Sequence, residues 1–354
     1  MNDARPYISI VVACRNEQRH IREFLESLLA QDLAGVSWEA LIADGMSDDG
    51  TREILRECCG RCPQVHLVDN PGHIVSTGLN QAIRAARGEI ILRMDAHTRY
   101  APDYCRRCVE TLQSKGADNV GGPARTTAYG SRARAIAAGY HSRFSTGGGK
   151  FHDENYEGWV DTVPYGCWRR ATLEQIGLFD ESLVRNQDDE LNLRLLRAGG
   201  KIWQDPRIVS WYSPRPSLAG LFQQYFQYGF WKVAVIRKHR LPGSWRHLVP
   251  GVFVLINFLL LAVAAITATR GLVGRAYLCG ALWLAIASMY AGASLIASTL
   301  AARRHGWATL PYLPAVFATY HLSYGLGFLA GLLSITRGPV LALGKAPLFT
   351  RLSR

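Results

Sequence analysis

The start of the chain alternates two kinds of pattern. Residues 7–13 (YISIVVA) form a short run rich in β-branched side chains and bounded by polar residues, the mark of a buried strand. Between 17 and 31, apolar side chains fall at Ile21, Phe24, Leu25, Leu28 and Leu29, which is helical spacing. The alternation repeats with a strand over 38–43 ending in Asp44-Gly45, a turn at 47–50 and a helix over 51–59. A strand over 65–69, a helix over 76–86 and a strand over 89–94 ending in Asp95 complete it. Strands and helices in this order predict an α/β domain: a mainly parallel sheet with helices on both faces. Ligands bind such sheets beyond the carboxyl ends of the strands. Four of these ends carry polar groups: Arg15-Asn16-Glu17, Asp44, Asp69-Asn70 and Asp95-Ala96-His97. With no Gly-x-Gly-x-x-Gly turn after the first strand and no Walker loop, the ordinary dinucleotide and ATP folds are disfavoured.

Further along, the pattern becomes continuous. Three uncharged apolar stretches, 248–269, 276–302 and 306–336, are each long enough to cross a bilayer. Arg270 and Arg275 separate the first two, and Arg303-Arg304-His305 the last two. Leu218 to Arg240 interleaves aromatic and apolar residues with glutamines and then bases, predicting an amphipathic helix on the membrane, with Lys232, Arg237, Lys238 and Arg240 toward anionic headgroups. The predicted organisation is a catalytic-looking domain at 1–215, a basic interfacial segment at 216–247, about three transmembrane helices over 248–336 and a basic tail at 337–354.

Charge sharpens that division. Residues 1–205 hold 25 Lys/Arg and 28 Asp/Glu, whereas 206–354 hold 15 Lys/Arg and no acid, so the net +12 comes from the apolar half. The bases flank apolar stretches and are not clustered on a polar domain, so the partner they imply is a membrane surface and not nucleic acid. The run 7–14 has no cleavage-type region after it and reads as a strand, which would leave the first domain in the cytosol. Seven Lys/Arg between 206 and 247 also start the first span there, but three full crossings would export Arg337, Lys345, Arg351 and Arg354. Pro311 and Pro314 make the third stretch a candidate for a re-entrant segment. The eight cysteines form no disulfide framework, in keeping with a reducing compartment. Cys59-x2-Cys62 and Cys105-x2-Cys108 have zinc-like internal spacing, but the second pair lies in a predicted helix where i and i+3 simply share a face.

Asp95-x-His97 closes the strand before it. A carboxylate and an imidazole two apart on extended chain can face one divalent ion (Mg or Mn) that also takes diphosphate oxygens. Taken alone, the pair reads equally as a surface loop in which Asp95 caps the helix starting near Pro102. Its setting is more specific. The stretch Gly78-Leu79-Asn80-Gln81-Ala82-Ile83-Arg84-Ala85-Ala86-Arg87-Gly88-Glu89, then Ile90 to His97, resembles the inverting family 2 glycosyltransferases of GT-A fold. Ser9 to Glu17 and Leu41 to Thr51 extend the resemblance, which covers roughly residues 7–215. It implies a nucleotide-diphospho-sugar transferase domain with Asp44 on the base, Ala13, Arg15 and Glu17 around base and ribose, and Asn80 and Arg93 on the donor side. Asp95 and His97 would hold the metal and diphosphate.

The segment Asn186-Gln187-Asp188-Asp189-Glu190-Leu191-Asn192-Leu193-Arg194 can be an ordinary helix start, with acids favoured at its positive end. It also resembles the family's Glu-Asp-x-x-Leu-x-x-Arg, whose Asp deprotonates the acceptor hydroxyl. In that register Asp188 is the base and Asp189 the near alternative, following a family-like Gly177-Leu178-Phe179-Asp180-Glu181. Val163 to Arg170 is expected on the acceptor side, and Gly147-Gly148-Gly149-Lys150 as a lid or a plain turn. Three positions depart from the pattern: His97 replaces the second metal carboxylate, Gly45 the second acid of the base motif, and Gln187 the acid before Asp188.

The resemblance is nearest to bacterial succinoglycan and exopolysaccharide-type glucosyltransferases of the inner membrane. It implies transfer of one sugar from a nucleotide-sugar, UDP-linked by expectation, to a lipid-linked saccharide. The processive enzymes' Gln-x-x-Arg-Trp is missing its Arg-Trp near Gln224 and Gln227. Two alternatives stay open: a polyprenyl-phosphate sugar synthase, and a membrane scaffold without turnover. Other enzymes of the same pathway are conceivable partners.

Overall fold

The computed structural model describes residues 6–336. The expected basic tail at 337–354, with Arg337, Lys345, Arg351 and Arg354, lies outside the described residues. The chain divides into two compact units, residues up to 127 with 150–213, and residues 128–149 with 214 onward.

The first unit opens with β1 (Ile8–Cys14), α1 (Ile21–Leu29), β2 (Trp38–Asp44), α2 (Thr51–Arg61), β3 (Val65–Asp69), α3 (Val75–Ala85) and β4 (Ile90–Asp95). These match the alternation read from the sequence. Short elements follow: β5 (Thr98–Tyr100), α4 (Tyr104–Ser114), β6 (Asn119–Gly121) and β7 (Ala124–Thr126). After the excursion of 128–149 come β8 (Gly158–Trp159), β9 (Cys167–Arg169), α7 (Arg170–Ile176), α8 (Gln187–Arg197), β10 (Ile202–Gln204) and β11 (Ser210–Tyr212). The excursion itself carries α5 (Ser131–His141) and α6 (Arg143–Thr146). One eight-stranded sheet has the order β3-β2-β1-β4-β9-β6-β10-β8, and a small one the order β5-β11-β7. The first four strands are parallel, and β9 runs antiparallel to β4 and β6, so the sheet is mixed.

Strand alternation sorts side chains to two faces. Ile8, Ile10, Val12, Ile42, Ile90, Leu92 and Met94 meet α1, α2 and α4 in one core. Cys105 and Cys108 face this core together from α4, as helical spacing requires. Val11, Leu41, Ala43 and Ile91 meet α3, α7 and α8 in the other core, with Trp168 and Phe179. By parity Arg93 and Asp95 share the face of Ile91 and point toward the α3/α8 side. Gly88 has its place because a Cβ there would lie 2.6 Å from the Ser9 backbone nitrogen.

The second unit is helical: α9 (Leu218–His239), α10 (Val249–Thr269), α11 (Val273–His305) and α12 (Leu313–Thr336), with α5 and α6 packed among them. Three helices, Trp245–Thr269, Val273–His305 and Leu313–Ser334, are long and apolar enough to cross a membrane. Phe258, Tyr277, Leu284 and Met289, 60–80 % exposed, belong to no core of this unit. Two details were not foreseen from the sequence. The segment 128–149, read as part of the first domain, groups with the helices; like 214–336 it contains bases and no acid. Helix α9 packs along α12, and Lys232, expected at headgroups, is only 6 % exposed. Gly229 and Gly327 make this possible: a Cβ on either would stand about 2 Å from a carbonyl of the other helix (2.1 Å to Tyr324 O, 2.0 Å to Phe226 O). Such small-residue contact is how helices approach closely in a bilayer.

Candidate functional site

Register aligns the parallel strand ends. Cys14 lies opposite Asp44, Asp44 opposite Asp69, and Ala13 opposite Asp95. The polar strand ends expected to form one rim therefore do so.

At the β2 end the loops after β1 and β2 are zipped together. The Asn16 side-chain amide donates to Asp48 (2.9 Å), and its oxygen accepts from the Asp48 N–H (3.1 Å). The Glu17 N–H donates to Thr51 Oγ1 (2.8 Å) and the Gln18 N–H to Asp49 (3.0 Å). Asp44 is fully buried and engaged through both oxygens, accepting from the Ser47 hydroxyl, the Ser47 N–H (3.0 Å) and Arg52 Nη1 (2.9 Å). Arg52 goes on to pair with Asp69. Asp44, expected on the base, organises the loop here, and Arg52, which the sequence did not single out, is the group it holds at the rim. Gly45 also has a local reason, since a Cβ there would lie 3.0–3.2 Å from the Arg15 side chain. The missing second acid leaves room for Arg15. Ala13, half-buried, lies 3.0 Å from where a Cβ on Gly78 would be, so α3 closes over the end of β1.

At the β4 end, His97 Nδ1 comes within 2.5 Å of Asp95 Oδ1 and 3.9 Å of Glu17 Oε1. Nδ1 is buried, and the imidazole and carboxylate converge in one short contact. Burial pushes the Asp95 carboxyl up, but the His97 imidazole and the Arg93 guanidinium outweigh it and hold it below the usual carboxylate range. The Asp95 N–H donates to the Tyr100 hydroxyl (2.6 Å), and Tyr100 packs on Tyr104 and Tyr165. Tyr100 is a support the sequence pattern did not reveal. Among the described residues no three His, Cys, Asp or Glu side chains form a closed metal cage. One carboxylate and one imidazole converging at a strand end fit a divalent ion that keeps positions open for phosphate oxygens.

Asn80 is held within the fold. It was expected on the donor side, but it is 2 % exposed and its amide is fully used: it donates to Phe179 O and Glu181 Oε1 (both 2.8 Å) and accepts from the Phe179 N–H (3.0 Å). It clasps the chain that leads to α8. That chain sets Asp188 in the first turn of α8, after Asn186 in a left-handed conformation (φ 60°). Asp188 Oδ1 accepts from the Asp189 N–H (2.9 Å), and Oδ2 faces Arg93 Nη1 at 3.7 Å. Arg93 is 5 % exposed, lies 5.8 Å over the Phe179 ring, and has no hydrogen bond on Nη1. Gln187 Oε1 beside it is likewise buried and unsatisfied. Arg93, expected on the donor, thus stands between Asp95 and Asp188. The stretch 163–170 is drawn inward: Trp168 is 1 % exposed, and Arg169 and Arg170 bond backbone carbonyls. Gly147 to Gly149 fall in the helical unit and Lys150 in the first.

The sequence profile described as "Glycosyl transferase family 2" matches residues 9–173. The succinoglycan biosynthesis protein ExoA of Rhizobium meliloti (strain 1021) is 35% identical over 243 residues, 68% of this chain and 73% of that protein. A dolichyl N-acetyl-α-D-glucosaminyl phosphate 3-β-D-2,3-diacetamido-2,3-dideoxy-β-D-glucuronosyltransferase of Methanococcus voltae is 28% identical over 262 residues, 72% of this chain and 81% of that protein. Among solved structures, the mannosyltransferase PcManGT from Pyrobaculum calidifontis, in complex with GDP-Man and Mn2+, superposes with a TM-score of 0.58 at 19% identity, over 92% of this chain and 88% of that one. That likeness fixes the fold as GT-A.

Proposed function

Because the chain belongs to glycosyl transferase family 2, we propose that this glycosyltransferase moves one sugar, with inversion, from a nucleotide-sugar to a lipid-linked saccharide. We take the donor to be a UDP-linked hexose and the setting to be the cytosolic face of a bacterial cytoplasmic membrane. The observation that carries the reading is the pairing across Arg93: Asp95 and His97 on one side of it, Asp188 on the other.

In this account the rim at Arg15, Glu17 and Arg52 receives the nucleoside, and the diphosphate lies toward Asp95 and His97. A divalent ion, Mg or Mn, would be held by Asp95 and His97, and when bound it neutralises charge on the departing diphosphate. Asp188 Oδ2 takes the proton from the acceptor hydroxyl while that oxygen's electron pair forms the new bond to the anomeric carbon. The old bond to the diphosphate oxygen breaks on the opposite face, which inverts the centre. Oδ1 is held by the Asp189 N–H, so Asp189 positions the base, and Oδ2 is the oxygen left to act. The name of the Methanococcus relative specifies a dolichyl phospho-sugar acceptor, and a lipid-linked acceptor for this chain would suit its three helices, which are long and apolar enough to cross a membrane.

The test is a binding and turnover screen. Purified full-length protein with a membrane lipid extract should release nucleoside diphosphate from one nucleotide-sugar and transfer that sugar to lipid. Asp95→Asn should lose metal-dependent binding of nucleoside diphosphate by calorimetry, a readout independent of turnover. Undiminished metal-dependent binding by Asp95→Asn, or turnover unaffected by chelators, would remove the metal from the account.

A further inference from the structure

The segment 128–149 leaves the first unit at Thr127, returns at Lys150, and groups with the helical unit between. Its α5 turns Ala135, Ile136 and Ala138 into a cluster with Ala301, Leu313, Val316 and Phe317. A Cβ on Gly139 would come within 2.8 Å of Val316, so the fit is close. Two polar latches fasten the segment. Arg134 Nη2 donates to the His305 carbonyl (2.7 Å), setting a cation at the negative end of the 33-residue α11. His321 Nε2 faces the Phe144 carbonyl at 2.8 Å and must be its N–H; Nδ1 then accepts from the Tyr290 hydroxyl (2.9 Å).

Away from that cluster the surface is cationic. Arg132 and Arg143 are exposed, as are Arg303 and Arg304 at the end of α11, and the His141 ring stacks on His305 between the two groups. Tyr129 is 94 % exposed and Trp307 58 %. No Asp or Glu occurs in 128–149 or in 214–336, so nothing within this unit neutralises the arginines. The apolar body of α11 runs directly into Arg303, which puts the bases where a span would leave hydrocarbon. Bases and aromatic rings at that level are what an anionic headgroup layer selects.

We propose that Arg132, Arg143, Arg303 and Arg304, with Tyr129 and Trp307, form a site for the headgroup phosphates of anionic phospholipids. The proposal rests on the membrane reading of α10, α11 and α12.

Native mass spectrometry of the full chain, extracted in mild detergent and titrated with phosphatidylglycerol or phosphatidylcholine, tests this. Each arginine beside an anionic surface is worth on the order of fivefold in affinity. Wild type should retain phosphatidylglycerol at least tenfold over phosphatidylcholine, and Arg132→Gln/Arg143→Gln/Arg303→Gln/Arg304→Gln should lose that preference. The smaller variant Arg132→Gln/Arg143→Gln, which leaves α11 untouched, should lose a substantial part of it. Equal retention of the two lipids by wild type, or full preference in the smaller variant, would overturn the proposal. Recovery of the chain without detergent would overturn the membrane reading itself; membrane extraction without lipid preference would overturn only this inference.

Discussion

Arg93 makes a contact that the sequence did not suggest. Its place two residues before Asp95 suggested a donor contact, yet its guanidinium lies under Asp188 and over Phe179. If Arg93 acts by holding Asp188 Oδ2, Arg93→Gln should lower kcat by about 10- to 100-fold while leaving nucleoside diphosphate affinity unchanged, and Arg93→Lys should recover part of the loss. In a double-mutant cycle with Asp188→Asn the two losses should fail to add. Additive losses, with weakened donor binding, would return Arg93 to the donor. Asn80 makes the opposite point. Asn80→Ala removes three buried hydrogen bonds and should cost roughly 2–3 kcal/mol of stability without changing donor affinity. Thermal unfolding beside a donor titration separates these. Asp95, His97 and Asp188 were proposed from the sequence because each sits in a run of residues with one family-like spacing. Asn80 was in such a run too, but its partners Phe179 and Glu181 are about 100 residues away, and no local pattern reveals a contact of that kind.

At the scale of elements, the long strands and helices were readable because period and turn chemistry agree over many residues. The strands β5, β6, β7, β9, β10 and β11 are three residues each, too short for a period, and exist because neighbouring strands supply their hydrogen bonds. Helix α9 has an aromatic and basic composition that suits an interface, while its packing on α12 depends on Gly229 and Gly327. Gly327→Leu should therefore separate α9 from α12 and lower the thermal midpoint in detergent, whereas Gly280→Leu, where a Cβ meets nothing within 4 Å, should not. The start of β2 carries a pH signature as well. Burial raises the Glu39 proton affinity, but bonds from Ser9 and Arg87 outweigh it and leave the carboxyl below its ordinary value. Folded Glu39 thus binds its proton less tightly than unfolded Glu39. Its contribution is full above the unfolded pKa of about 4.3 and is lost as pH falls through the lower folded value. Thermal midpoints taken from pH 6 down to 3 should fall less steeply for Glu39→Gln than for wild type.

Over the whole molecule, charge and apolar pattern together announced two environments, a mixed-charge α/β unit and an acid-free helical one. What they hid was the excursion 128–149. Its three arginines and lack of acids match the second environment, and that composition was the available signal, but a segment of 22 residues is too short to stand out against the surrounding domain. In the proposed mechanism the GT-A unit supplies the donor rim, Asp188 of α8 would act as the base, and the apolar helices would give a lipid setting for the acceptor. The central claim joins these parts at one oxygen, Asp188 Oδ2. Its most direct test is single-turnover transfer of labelled sugar to lipid by Asp188→Asn, measured with donor binding on the same preparation. The account predicts donor bound as tightly as in wild type and transfer slowed by about 10²- to 10⁴-fold. Transfer at the wild-type rate would contradict it.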